Sequence, residues 1–287
     1  MPKIQANNLT FHYWQSGQGP DVVLVHGLGG NLAAWHLGIV PELQQEYRVL
    51  TYDLRGHGRS DAAPGYTTGD MARDLRGIVD ALDIQKAVFI GHSWGADAVL
   101  HFAQLNPERV SELVVVEGAL LAPLASVYRS PEWEGWPYAV RTLESLLGRP
   151  IPEENRCDLE YLLRQVIEIP IIYGPSQGRP RDEDLIFRVL DVLRPMWEGR
   201  EAEGNMSLEG LSRIEHPTLL VYESNTAYPE ALRELSDRLP ASELAVLPPG
   251  ELKHFSTLEH PDAVVSNIRK FLNERRAGVS DTQQVTR

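Results

Sequence analysis

The pentapeptide Gly91-His-Ser-Trp-Gly95 lies between the apolar run AVFI and a segment whose apolar residues recur every three to four positions. Gly-x-Ser-x-Gly closing a strand and opening a helix drives the chain through a sharp turn that lifts the hydroxyl of Ser93 above the sheet. The flanking glycines leave room for the close chain approach that such a turn requires. The start of the helix beneath favours the negative charge that develops as a serine attacks a carbonyl carbon.

A serine hydroxyl is a weak nucleophile until a base takes its proton, and nine histidines are available. His254, in LPPGELKHFSTLEHPDAV, falls in a loop between the last expected strand and the last expected helix, where a side chain can reach over the strand ends. His26 and His92 flank sharp turns, and His260 precedes Pro261 at a helix start. His12, His36, His57, His101 and His216 read as surface or packing residues. His254 is therefore the expected base. The oxyanion of an acyl-transfer reaction needs two preorganised N–H donors. The backbone of Trp94, directly after the serine, supplies one. The loop HGLGG (26–30) supplies the other, with Leu28 the expected donor. The spacing in that loop fits neither G-x-x-x-x-G-K-[ST] nor G-x-G-x-x-G, which removes a phosphate cradle from consideration.

The elements needed to position these groups are readable. DVVLVHG (21–27), YRVLTYD (47–53), KAVFIGH (86–92) and SELVVVEG (111–118) are nearly continuous apolar runs, the pattern of strands covered on both faces. Helical patterns separate them, the first of which Thr68 or Asp70 could cap. This alternation predicts an α/β fold with a doubly wound, mostly parallel sheet. It breaks from about residue 120 to 212, where helical stretches, Pro- and Gly-containing loops and a concentration of aromatics suggest a mostly helical insertion. HPTLLVYES, SELAVLPPG and the helix PDAVVSNIRKFLNERR then resume the alternation. The expected division is a first part of the core over 1–119, an insertion over 120–212, a second part of the core over 213–275 and a disordered tail over 276–287.

Composition sets outer bounds. At 287 residues, 43% hydrophobic and 23% charged, the chain can bury one large core with an insertion. A net charge of -13 argues against nucleic acid as a partner. The N-terminus lacks the pattern of a secretion signal, no apolar run reaches membrane-spanning length, and the single cysteine, Cys157, cannot form an internal disulfide. These features point to a cytoplasmic protein without a membrane partner.

The segments HGLGGN, DLRGHGRSD (53–61), GHSWG and PGELKHF…LEHPDAV follow one another as they do in the α/β-hydrolase fold superfamily, which this chain resembles. The resemblance implies that 120–212 is a cap over the active site and that Arg55 and His57 are structural. It also exposes a departure. Most members carry an Asp after the strand corresponding to TLLVYES, but here Asn225 or Thr226 occupies that place and Glu223 stands too early in the turn. Some members place the acid one strand earlier, where this chain has Glu117, 24 residues after the serine. Fungal zearalenone lactonases resemble this arrangement. Certain haloalkane dehalogenases do so too, but with an Asp nucleophile.

The expectation is a serine hydrolase with Ser93 as nucleophile, His254 as base and Glu117 as orienting acid, Glu223 being the alternative. It needs no metal or cofactor and acts on an ester or lactone of a mainly apolar small molecule, first of all a polyketide-type lactone. Trp133, Trp136, Tyr138 and Trp197 are the candidate pocket residues, with Trp94 lining the acyl side. C–C bond hydrolysis, perhydrolysis, amide hydrolysis and a slow small-molecule receptor remain as alternatives on the same constellation.

Overall fold

The computed structural model describes residues 2–166, 191, 194 and 203–284. Eight strands form a single sheet in the order β1-β2-β4-β3-β5-β6-β7-β8. They are β1 (Lys3–Ala6), β2 (Leu9–Ser16), β3 (Asp21–Val25), β4 (Arg48–Tyr52), β5 (Ala87–His92), β6 (Val110–Val116), β7 (Thr218–Glu223) and β8 (Ser242–Leu247). The strands from β4 to β8 pair in parallel, whereas β1 and β2 add an antiparallel edge. The sequence reading assigned no element to that edge. Its signal was the pair Asn7-Asn8, which turns the chain with φ of 50° and 62°, a conformation that asparagine tolerates better than most residues.

The helices are α1 (Ala33–His36), α2 (Ile39–Leu43), α3 (Thr68–Ala81), α4 (Trp94–Leu105), α5 (Ala125–Arg129), α6 (Trp136–Leu147), α7 (Leu159–Val166), α8 (Leu208–Leu211), α9 (Pro229–Arg238), α10 (Ser256–Glu259) and α11 (Pro261–Gln284). The buried side chains fall into two clusters. One, on the face of α3 and α4, includes Phe89, Val115 and Tyr222; the other, on the face of α2 and α11, includes Ile90, Val116 and Val221. Consecutive residues of each strand thus point to opposite cores, which explains the unbroken apolar runs.

Two local expectations change. The cap of α3 is Thr67, which forms a reciprocal capping box with Asp70. Thr68 instead shares a hydrogen bond with His101 Nδ1 and accepts one from the Met206 amide. The chain beyond 275, expected to be disordered, continues as α11 to Gln284. Arg275 pairs with Glu243 and Arg276 lies over the Tyr47 ring at 4.6 Å, so the helix finds partners past the end of the apolar pattern.

The sheet edge near the site depends on Arg55 and Asp74. Arg55 donates through Nε and Nη2 to the two carboxyl oxygens of Asp74 at 2.5 and 2.7 Å, both groups being buried. Arg55→Met would strand the Asp74 charge and should lower unfolding free energy by about 3–5 kcal/mol. Urea titration of the variant measures that loss.

Candidate active site

Parallel pairing brings the C-terminal ends of β5, β6 and β7 side by side, with His92 opposite Val116 and Val116 opposite Val221. Open α/β sheets bind ligands at this edge. Ser93 follows β5 at φ 55° and ψ −124°, outside the regions open to an L residue, and caps α4. Such strain persists only where the surroundings enforce it. Here a Cβ on Gly91 would stand 2.4 Å from the Gly95 carbonyl oxygen, and one on Gly95 would stand 2.2 Å from that of Val25. The glycines that framed the motif are required by contact, and they hold Ser93 in its turn.

His254 Nε2 lies 2.9 Å from Ser93 Oγ, across 161 residues of sequence. The loop that carries His254 is tied down at several points. The Ala227 amide donates to the Lys253 carbonyl at 3.0 Å. Asn225 accepts from the Gly250 amide and donates to the Gly250 carbonyl, and Glu259 accepts from the amides of Glu251 and Leu252. His92 Nε2 bonds the His254 carbonyl at 2.8 Å. Burial above all holds the His92 imidazole at about 4, so the ring is neutral and donates through Nε2. His92 is thus more than a turn residue: it joins the strand that leads to Ser93 to the loop of His254.

The loop 26–30 lies against the serine, since a Cβ on Gly27 would come within 2.9 Å of Ser93 Cβ. His57 accepts the Gly29 amide at Nε2 (3.1 Å) and donates through Nδ1 to the Arg55 carbonyl (2.8 Å). Burial, with His26 adding to it, pushes its pKa down to about 3 and fixes this neutral form. The turn DLRGHGRS therefore supports the glycine-rich loop. Among the described residues, the amides of Leu28 and Trp94 donate to no protein acceptor. The Trp94 side chain does not line an acyl pocket: it is 2% exposed, packed in the main core with its ring centroid 6.0 Å from that of His57.

The acid departs from expectation. Glu117 follows β6 directly, at φ 48°, and is fully buried. Its Oε1 accepts the Glu223 amide at 2.5 Å and its Oε2 accepts the Thr226 hydroxyl at 2.6 Å. The expected bond to His254 is not made, and among the described residues His254 Nδ1 has no partner. Both carboxyl oxygens of Glu223 are likewise buried and unpartnered. Burial first, and then the neighbouring carboxyl of Glu223, pushes Glu117 up to about 8 against the lowering by its two hydrogen bonds. Burial and Glu259 push Glu223 up to about 7. Thr226 and Asn225, which occupy the place of the customary Asp, hold Glu117 and the histidine loop respectively.

Other aromatic groups sort themselves. Tyr228, which the sequence reading passed over, sets its ring against His254 at 4.7 Å, and Trp133 stacks on Tyr228 at 6.1 Å. Tyr128 closes the group at 5.1 Å from Trp133. Trp136 is a core residue, 3% exposed, with its indole N–H on the Ser130 carbonyl. Tyr138 is half-buried beneath the Lys253 ammonium. Trp197 lies outside the described residues. Asp97, one turn into α4 and also missed, is fully buried and accepts the amides of Leu120 and Leu121, pinning the chain where it leaves β6. Burial pushes its carboxyl up to about 7.

A family model of the α/β hydrolase fold matches residues 20–143, the stretch that holds the glycine-rich loop, Ser93 and Glu117. The chain has the α/β-hydrolase fold. Over 268 residues it is 28% identical to the pimeloyl-[acyl-carrier protein] methyl ester esterase of Nitrosospira multiformis, covering 89% of this hydrolase-fold chain and 95% of the esterase. It is 34% identical over 116 residues to an uncharacterized protein of Mycobacterium tuberculosis, 40% of this chain and 34% of the other, so the match spans about a third of that relative's length. The enol-lactonase of Burkholderia xenovorans superposes with a TM-score of 0.68 at 22% identity, covering 95% of this chain and 100% of that one. At that identity the likeness establishes the fold. No helix among the described residues is long and apolar enough to cross a membrane.

Two outcomes follow from this geometry. His92→Phe keeps the ring volume but removes the donor to the His254 carbonyl, and should lower kcat by about tenfold or more with a small change in Tm, since misplaced catalytic groups lose rate steeply. Glu117, Glu223 and Asp97 stand at about 8, 7 and 7 when folded, above ordinary values of 4.5, 4.5 and 3.8. Their neutral forms are favoured in the folded state. The stability they contribute is complete below the ordinary values and is lost as pH rises towards 8. Denaturation midpoints at pH 5 and 8 measure this decline, and Glu223→Gln should reduce it.

Proposed function

We propose that this chain is a serine hydrolase that cleaves an ester or lactone of a mainly apolar small molecule through an acyl-enzyme on Ser93. The 2.9 Å contact between His254 Nε2 and Ser93 Oγ carries the reading. For Nε2 to accept the serine proton, the ring hydrogen must sit on Nδ1. Ser93 Oγ then attacks the carbonyl carbon while His254 takes its proton and passes it to the leaving alkoxide. The amides of Leu28 and Trp94, unclaimed by protein acceptors, receive the oxyanion. Water, deprotonated by the same imidazole, releases the acid. Glu117 orients His254 and stabilises the imidazolium. Its support is its position beneath the Thr226 turn and its fixed carboxyl, which needs a side-chain adjustment to reach Nδ1.

In this reading the described residues 120–166 and 203–212 belong to the cap, and Trp133 and Tyr228 supply the apolar wall beside the base. Such walls favour ligands with large apolar surface and few polar anchors. The acid's place after β6 and the lack of an Asp after β7 support a lactone of polyketide type as the first substrate to try. The protein would act in the cytoplasm on a freely diffusing molecule, without a metal or cofactor.

Ser93→Ala should abolish turnover of short p-nitrophenyl esters, and full retained activity would contradict the mechanism. Glu117→Gln should lower kcat about 100-fold or more with little effect on KM or Tm, removal of a triad acid costing up to about 10⁴. A screen of esters, lactones, amides and β-diketones should show the highest kcat/KM among the first two.

A further inference from the structure

The imidazole Nδ1 of His254 and both carboxyl oxygens of Glu223 are buried without partners among the described residues. A buried polar group left unpaired has lost its water without gaining a partner, which is costly. With the ring proton on Nδ1, the nitrogen is a donor and the Glu223 oxygens are acceptors, so each group lacks what the other offers. Their surroundings are built to keep them near. Glu223 ends β7, its amide bonded to Glu117 Oε1. Gly250, four residues before His254, lies on the carboxyl, where a Cβ would stand 2.5 Å from each oxygen. Asn225 fixes Gly250 from both sides of its peptide.

The other acids nearby are engaged. Each oxygen of Glu117 already accepts one bond, and Glu259 of α10 is taken up by loop amides. Other titratable neighbours are His92 and Tyr228, whose rings pack on His254, Tyr222, whose phenol Glu117 helps to raise, Tyr138 of α6, whose phenol Glu223 helps to raise, and Lys253, which lies over the Tyr138 ring. The Lys253 ammonium makes that ring contact at 5.0 Å.

We propose that two carboxyl groups serve His254, with Glu223 as a second positioning residue that accepts the Nδ1–H in alternation with Glu117, the pair holding one proton and one negative charge between them. The proposal rests on the reading of Ser93 as nucleophile and His254 as base. Two carboxyls in one buried site do not ionise together, because like charges in low dielectric repel strongly. Burial raises both carboxyls, Glu117 to about 8 and Glu223 to about 7, and the Glu223 carboxyl adds to the rise on Glu117. The amide and hydroxyl on Glu117 can be accepted by its neutral or its ionised form, so the proton can move between the two groups without breaking either bond. Thr226 holds the Glu117 carboxyl and Asn225 holds Gly250 against the Glu223 carboxyl, so the turn after β7 fixes both members of the pair.

The test is steady-state kinetics of p-nitrophenyl ester hydrolysis from pH 6 to 9 on E117Q, E223Q, E223D, E117Q/E223Q and S93A. In the E117Q background, E223Q should lower kcat a further tenfold or more at unchanged KM. E223Q alone should cost less than tenfold and move the acid limb of kcat/KM to lower pH, since the neighbour that raises Glu117 is gone. E223D, which keeps the carboxyl, should restore the limb towards its wild-type position. A change of less than twofold on adding E223Q to E117Q, with the limb unmoved in E223Q, would overturn the proposal while inactive S93A leaves the serine reading intact. Full activity of S93A would overturn both.

Discussion

The contact between Ser93 and His254 is the constraint around which the rest of the molecule is arranged. Its two halves are 161 residues apart, and neither reaches the other unless the sheet pairs in register. The serine side is fixed by strain that the packed glycines prevent from relaxing. The histidine side is fixed by hydrogen bonds rather than by a regular element. Asn225, Ala227, Glu259 and His92 each hold one point of the loop from Gly250 to His254. A stiff nucleophile and a tethered base give the short, aligned contact that proton transfer requires.

The polar groups beneath this contact are all buried, and their states are set by that burial. His57 and His92 are held neutral and act as fixed donors and acceptors for backbone groups. Glu117, Glu223 and Asp97 are drawn towards neutrality as well. The site is therefore a low-dielectric region in which one added charge has a large effect. An imidazolium forming on His254 would find carboxyl groups whose protons are weakly held near neutral pH, so proton movement within the site offsets charge development.

The meeting of Ser93 and His254 was legible because their signals are local. A serine between glycines at a strand end, and a histidine between the last strand and helix, can be read from a dozen residues each. The strands of the parallel sheet were legible for a similar reason, since burial on both faces leaves an unbroken apolar run. The acid was not legible to the same degree. Whether Glu117 or Glu223 meets His254 depends on how β6 and β7 pair and on rotamers that no periodicity encodes. Asn225 and Thr226 looked like the absence of an acid; in the fold they hold Gly250, in the loop of His254, and the Glu117 carboxyl. Tyr228 and Asp97 were missed because a lone aromatic or acid in such a segment gives no pattern, and the antiparallel edge was missed because its polar alternation is weak.

The proposed reaction places an acyl group on one oxygen, that of Ser93. Acid quenching of the protein during turnover of a p-nitrophenyl ester, followed by proteolysis and mass spectrometry, locates that group directly. The proposed mechanism predicts an added acyl mass on the peptide containing Ser93, absent from Ser93→Ala. An acyl group on another residue, or turnover at the wild-type rate with Ser93 replaced by alanine, would contradict it.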